Sequence, residues 1–126
     1  MITLQRVLGW LRALAEVYAR HRAELTDLDA AIGDAHHGIN MDRGFAAVVA
    51  ELHQSPPADI AGALKSAALT LIRTVGGASG PLYGTFFLRA SAAWPGRGEL
   101  SAADWAQAFG QGVEGVQQRG KAQAGD

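Results

Sequence analysis

The sequence contains no cysteine, which excludes a disulfide framework, a thiolate zinc site and a cysteine nucleophile together. It also lacks an excess of either charge. Eleven basic residues face twelve acidic ones, for a formal net charge of -1, so no broad field attracts nucleic acid or an anionic membrane surface. Any chemistry on phosphate must therefore be local. No apolar run approaches the roughly 18 residues that a membrane span requires. No period-two run is long enough for a convincing strand, and there is no internal repeat or low-complexity segment. The P-loop with its lysine is absent, as is a dinucleotide-binding G-x-G-x-x-G between strand and helix, which disfavours two common nucleotide folds. What remains at 126 residues is one all-α domain, long enough to bury roughly two thirds of its unfolded surface. The lack of cysteine suits a cytoplasmic protein.

Arg6, Arg12, Arg20 and Arg22 near the start could belong to a targeting peptide or a surface-lying helix. The periodicity argues for a core helix instead. Leu4, Val7, Leu8, Leu11, Leu14, Ala15 and Tyr18 recur at helical intervals and form one apolar stripe, with the arginines mostly opposite. After a connection over 26–39, Asn40 is placed to cap a second helix to about Leu52, with Met41, Phe45, Val48, Val49 and Leu52 on its apolar face. Pro56-Pro57 stops the chain, and Asp59 caps a third helix that buries Ile60, Leu64, Ala67, Ala68, Leu71 and Val75. Pro81 fits the first turn of a fourth helix running to about Trp94, and a turn over 95–98 follows. Ser101 with Asp104 reads as a capping box, and Leu100 with Trp105 as a hydrophobic staple, at the start of a fifth helix. Gly110, Gly112 and Gly115 weaken that helix by roughly 1 kcal/mol each, so tertiary contacts must support it. The tail from Gly120 shows no apolar periodicity and is expected to be loose. Trp10, Trp94 and Trp105 fall at helical positions where core packing is the expected role. His21 and His53, near helix ends, are read as solvated or capping residues.

Two segments carry chemistry. In the first, Asp29, Asp34, His36, His37 and Asn40 lie within twelve residues, beside Gly33 and Gly38. A single loop aspartate is ordinarily a turn residue. Several hard oxygen donors together, with glycines that permit close backbone approach, point to metal or phosphate binding. In the second, residues 76–80, Gly-Gly-Ala-Ser-Gly, precede a helix whose first amides, with the Ser79 hydroxyl, can cradle phosphate oxygens. Taken alone, that segment reads as a glycine-rich cap.

Together the two blocks resemble the nucleotide-binding L subunit (DhaL) of dihydroxyacetone kinase, also found as the C-terminal domain of single-chain ATP-dependent glycerone kinases. The residues that carry the resemblance are Leu25-Thr26-Asp27-Leu28-Asp29, Ile32-Gly33-Asp34, His37-Gly38-Ile39-Asn40-Met41 and Arg43-Gly44-Phe45. They are joined by the run from Gly76 through Ala78-Ser79-Gly80-Pro81-Leu82-Tyr83-Gly84-Thr85 to Phe87. The similarity covers essentially the whole chain. It implies an antiparallel up-and-down barrel of eight helices, of which about five are present here, the family pattern continuing past Asp126. An apolar face left uncovered would favour self-association.

The resemblance further implies ADP or ATP and two Mg2+ ions held by loops at one end. Two of the family's three metal-binding aspartates correspond to Asp29 and Asp34, and His36 stands at the third. His37, Asn40, Met41 and Ala78-Ser79-Gly80 correspond to positions lining the phosphates, and no residue of the chain is implied as a covalent catalyst. Histidine at position 36 removes a negative charge and offers a nitrogen donor that suits zinc or manganese better than magnesium. The implied partners are a separate K subunit holding dihydroxyacetone and, where ADP stays bound, a phosphohistidine M subunit of the sugar phosphotransferase system. No nucleic acid or membrane partner is implied. The alternative is a non-catalytic nucleotide-binding or regulatory relic of that family.

Overall fold

A computed structural model describes residues 1–20, 37–75 and 79–124. Among them are five helices, α1 (Leu4–Arg20), α2 (His37–Gln54), α3 (Ile60–Thr74), α4 (Ser79–Ser91) and α5 (Ala102–Ala124). Two-residue strands β1 (Ile2–Thr3) and β2 (Glu99–Leu100) pair antiparallel, Ile2 opposite Leu100. The all-α class is thus observed. The strand pair was not expected, because two residues are too few to leave an alternating pattern.

Helices adjacent in sequence pack against one another from α1 to α5. The stripe of α1 buries Val7 and Leu11, with Leu4, Leu8, Leu14, Ala15 and Tyr18 packed at the edge of the core, while Arg6, Arg12 and Arg20 are exposed. Met41, Phe45, Val48 and Leu52 of α2 are buried, as are all six residues expected of the third helix. Aromatic contacts tie the layers together. Trp10 meets Trp105 edge-on at 5.6 Å between ring centroids and Phe87 at 5.9 Å, and Phe86 meets Phe109 at 4.9 Å.

Several helix ends form as their sequences dictate. Asp59 is extended, and its carboxylate accepts the Gly62 amide at 2.7 Å. Ser101 Oγ accepts the Asp104 amide at 3.0 Å, and Leu100 and Trp105 both join the apolar cluster. The turn over 95–98 contains Gly96 at φ 78°, in the left-handed region that glycine tolerates best. That turn binds the starts of two helices: Leu4 donates its amide to the Gly98 carbonyl and Ile60 to that of Arg97, both at 3.0 Å.

Three boundaries differ from expectation. α2 begins at His37, so Asn40 lies inside its first turn and Gly38 makes no turn. A side chain able to cap does not decide where the backbone leaves the helix. α4 ends at Ser91, because the residue before Pro95 is pushed away from helical angles. Trp94 therefore sits outside any helix, donating its indole N–H to the Asp104 carbonyl at 3.0 Å. α5 continues to Ala124, since Lys, Ala and Gln carry the backbone on by intrinsic propensity without an apolar stripe.

Candidate functional site

The end of the bundle opposite the 95–98 turn gathers the close of α1, the start of α2, the close of α3 and the start of α4. Two glycines set how near these ends come. Gly44 of α2 lies so close to Val75 that a Cβ there would overlap its side chain and stand 3.1 Å from Leu71 Cδ2. A Cβ on Gly80 of α4 would run into the Val75 carbonyl oxygen and stand 3.1 Å from that of Leu71. The start of α4 and a point about two turns into α2 therefore both meet the C-terminal end of α3, where the Val75 amide closes the helix on the Leu71 carbonyl at 2.9 Å.

This convergence has an electrostatic consequence. The first amides of a helix have no partner within it, and they carry the positive end of the macrodipole. Neither α2 nor α4 has an acidic residue in its first turn to compensate that charge. The Ser79 residue opens α4 and is half-buried, and Gly80 behind it is buried.

Of the residues expected at the site, the fold brings His37, Asn40 and Met41 on α2 to the same end as Ser79 and Gly80 on α4. Met41 is completely buried in the apolar core. Asp29, Asp34, His36 and Ala78 lie outside the described residues. Among the described residues, no group of three or more His, Asp or Glu side chains could hold a metal ion, so a metal reading depends on the acidic stretch before α2.

Two tyrosines contribute here that sequence reasoning assigned no role. Tyr18, read only as a member of an apolar stripe, stacks on Phe45 with ring centroids 5.1 Å apart and planes 7° from parallel. Burial, reinforced by the neighbouring Tyr83 hydroxyl, pushes its ionisation well above the ordinary range. The available signal was a hydroxyl-bearing ring in an otherwise aliphatic stripe. Beside these rings an open cavity of about 500 Å³ runs between α1, α4 and α5, lined by Leu14, Phe86, Phe109 and Val113 among others.

An all-helical protein that presents two helix starts without an acidic residue in their first turns at one end is of a class suited to anionic ligands. The chain belongs to the DAK2 domain family, whose model matches residues 31–126. It is 45% identical over 121 residues to the "PEP-dependent dihydroxyacetone kinase, ADP-binding subunit DhaL" of Escherichia coli, an alignment covering 96% of this chain and 58% of that protein. It is 37% identical over 126 residues to the "PTS-dependent dihydroxyacetone kinase, ADP-binding subunit DhaL" of Lactococcus lactis subsp. lactis, covering 100% of this chain and 63% of the relative. Human "Triokinase/FMN cyclase" is 35% identical over 126 residues, with 99% of this chain matched to 20% of a longer protein. The chain spans about three fifths of the length of the bacterial relatives it matches. No described helix is long and apolar enough to cross a membrane.

Proposed function

We propose that this chain is the nucleotide-binding part of a dihydroxyacetone kinase, presenting ADP or ATP with magnesium for phosphoryl transfer to dihydroxyacetone held on a separate K subunit. The observation that carries the reading is the meeting of two motif blocks, far apart in sequence, at one end of the bundle. His37–Met41 opens α2 and Ser79-Gly80 opens α4; Gly80 and, about two turns into α2, Gly44 both lie against the close of α3. Amides of those two first turns, with the Ser79 hydroxyl, would bind phosphate oxygens from two sides. Met41, being buried, would act from beneath by packing. Asp29 and Asp34 would hold the metal, with His36 at the third position.

Phosphoryl transfer needs little covalent help from a protein; positioning and charge stabilisation dominate. Bound magnesium supplies neutralisation of the charge that develops on the transferred group. The two helix starts contribute in the same sense, holding the phosphates in a fixed orientation and favouring negative charge. The reading of a PEP-dependent system, in which ADP stays bound and is rephosphorylated by a phosphohistidine M subunit, draws support from the names of the bacterial relatives. A cytoplasmic location accords with that system.

Titration of the chain with ADP at fixed magnesium tests nucleotide binding, and adding a K subunit with dihydroxyacetone tests transfer. Binding followed by transfer is the expected result. His36 is the observation that favours the alternative, since it offers a softer donor where the family resemblance implies a carboxylate. Binding without transfer in the presence of a competent K subunit would identify a regulatory relic.

A further inference from the structure

Val75 meets three helices with three different parts of itself. Its amide donates to the Leu71 carbonyl at 2.9 Å and closes α3. Its side chain faces α2, where a Cβ on Gly44 would overlap Val75 Cγ2. Its carbonyl oxygen faces α4, where a Cβ on Gly80 would run into it. One residue can do all three because the chain leaves the helix there. At φ -95° and ψ 122° Val75 is extended, a conformation that suits a β-branched side chain, and its carbonyl turns out of the α3 ladder toward the start of α4. The residue is 4% exposed, so little open space can absorb a change in its size. α2 and α4 each pack on α3 more than on one another, which makes the close of α3 the place where their relative position is set.

We propose that Val75 is a positioning residue for the phosphate-binding end: its side chain fixes how near α2 stands to α3, its carbonyl fixes where α4 begins, and the first turns of both helices thereby reach one anionic ligand in a set mutual placement. This rests on the nucleotide reading of that end and extends it to a residue outside both motif blocks, the second of which begins at Gly76. Gly44 lies about two turns into α2, and a helix is stiff over that length, so a displacement at Gly44 is passed on to Asn40 and His37. A helix start free to shift must be ordered when the ligand binds, at a cost in affinity. Val75 removes that cost in advance by seating α2 and α4 on the same residue.

The test uses the full chain, with ADP titrated calorimetrically in magnesium, hydrogen exchange followed at the amides of 41–44 and 83–86, and thermal melting measured in parallel. Val75→Ala removes the methyl groups that face Gly44. It should weaken ADP binding roughly threefold to tenfold, the scale on which residues that do not touch a ligand modulate its binding, and speed exchange in both helix starts. Gly44→Ala drives a methyl group into Val75 Cγ2 and should weaken binding to a similar degree. The double variant Gly44→Ala/Val75→Ala places the new methyl group where Cγ2 was, with Leu71 Cδ2 at 3.1 Å able to rotate aside and Thr74 Oγ1 at an ordinary 3.6 Å. It should bind ADP more tightly than either single variant. Leu52→Ala, buried at the far end of α2, should lower the melting temperature and leave ADP affinity unchanged. Equal ADP affinity in the wild type and both single variants overturns the proposal. So does a double variant no better than the singles, or affinity that merely follows melting temperature across the whole set. If the wild type binds no ADP, the nucleotide reading itself fails. Exchange then judges the Val75 contacts alone, and rates at 41–44 and 83–86 unchanged by Val75→Ala overturn them.

Discussion

The carboxylate of Asp59 accepts the amide of Gly96 at 3.0 Å, across 37 positions of sequence, while its other oxygen caps α3 through Gly62 at 2.7 Å. One side chain thereby starts a helix and anchors the turn that receives the amides of Leu4 and Ile60. Removing it should loosen the end of the bundle opposite the candidate site.

Asp59→Ala is expected to destabilise the fold by about 2 kcal/mol, the sum of a lost helix cap and one further charge-assisted hydrogen bond. Asp59→Asn should cost less, since its amide oxygen can still cap α3. Denaturant melts of the three proteins at neutral pH measure this. Nucleotide affinity of the folded protein should be unchanged, because the substitution lies at the other end.

Glycines in two helices should respond in opposite ways to alanine. Gly80→Ala forces a methyl group into the carbonyl oxygens of Val75 and Leu71, backbone atoms that cannot rotate aside, and is expected to cost about 1–3 kcal/mol or more. It should also part the α4 start from α3 and weaken ligand binding. Gly110 meets nothing within 4 Å of an added Cβ, so Gly110→Ala should stabilise α5 by roughly 0.5–1 kcal/mol. Melting temperatures that fall for the first variant and rise for the second are the expected result.

Tyr18 supplies a pH dependence with a definite sign. Burial and the Tyr83 hydroxyl raise its ionisation above the ordinary phenol value of 10.0, so the folded state holds the proton more tightly than the unfolded chain. The stabilisation from this group is fully present below about pH 10 and is lost as pH rises from there through the folded-state value. Stability measured from pH 8 to 11.5 should therefore decline above pH 10 more steeply in the wild type than in Tyr18→Phe. Identical profiles would mean that the hydroxyl is not held as described.

Asp34→Ala should abolish magnesium-dependent ADP binding and leave helical content unchanged, because the proposed function assigns the residue to the ligand rather than to the core. Calorimetry with far-UV circular dichroism checks both halves of the statement. Equal ADP affinity in variant and wild type would refute the assignment.

His36→Asp should tighten magnesium and ADP together. The substitution restores a hard oxygen donor and a negative charge, and two ligands that share oxygens are linked, so a gain in one appears in the other. ADP affinity measured at several magnesium concentrations, with manganese as the nitrogen-tolerant control, reads the effect. An unchanged magnesium dependence would remove His36 from the ligand set.

Much of this protein was legible in its sequence, for a physical reason that can be named residue by residue. The stripe of Val7 and Leu11, the buried face from Ile60 to Val75, the Asp59 cap and the Ser101 box depend on residues within a turn or two of one another. Their periodicity and capping chemistry therefore persist whatever the chain does elsewhere. The candidate ligands were legible by a different route, since Asp29, Asp34 and the Ala78-Ser79-Gly80 block stand out by matching a family pattern, which carries identity but no geometry. Tertiary structure decided what depends on helix faces meeting. It drew α2 and α4 onto the close of α3 through Gly44 and Gly80, and gave the indole of Trp94, kept out of α4 by Pro95, a partner in the Asp104 carbonyl. It also stacked the Tyr18 ring of α1 on Phe45 of α2 and placed its hydroxyl beside that of Tyr83 on α4. A hydroxyl acquires a partner, and a glycine a reason, only when another helix arrives at a particular height and rotation. The amino-acid order of α1 specifies the ring at position 18, while the packing of α4 beside it specifies what its oxygen does.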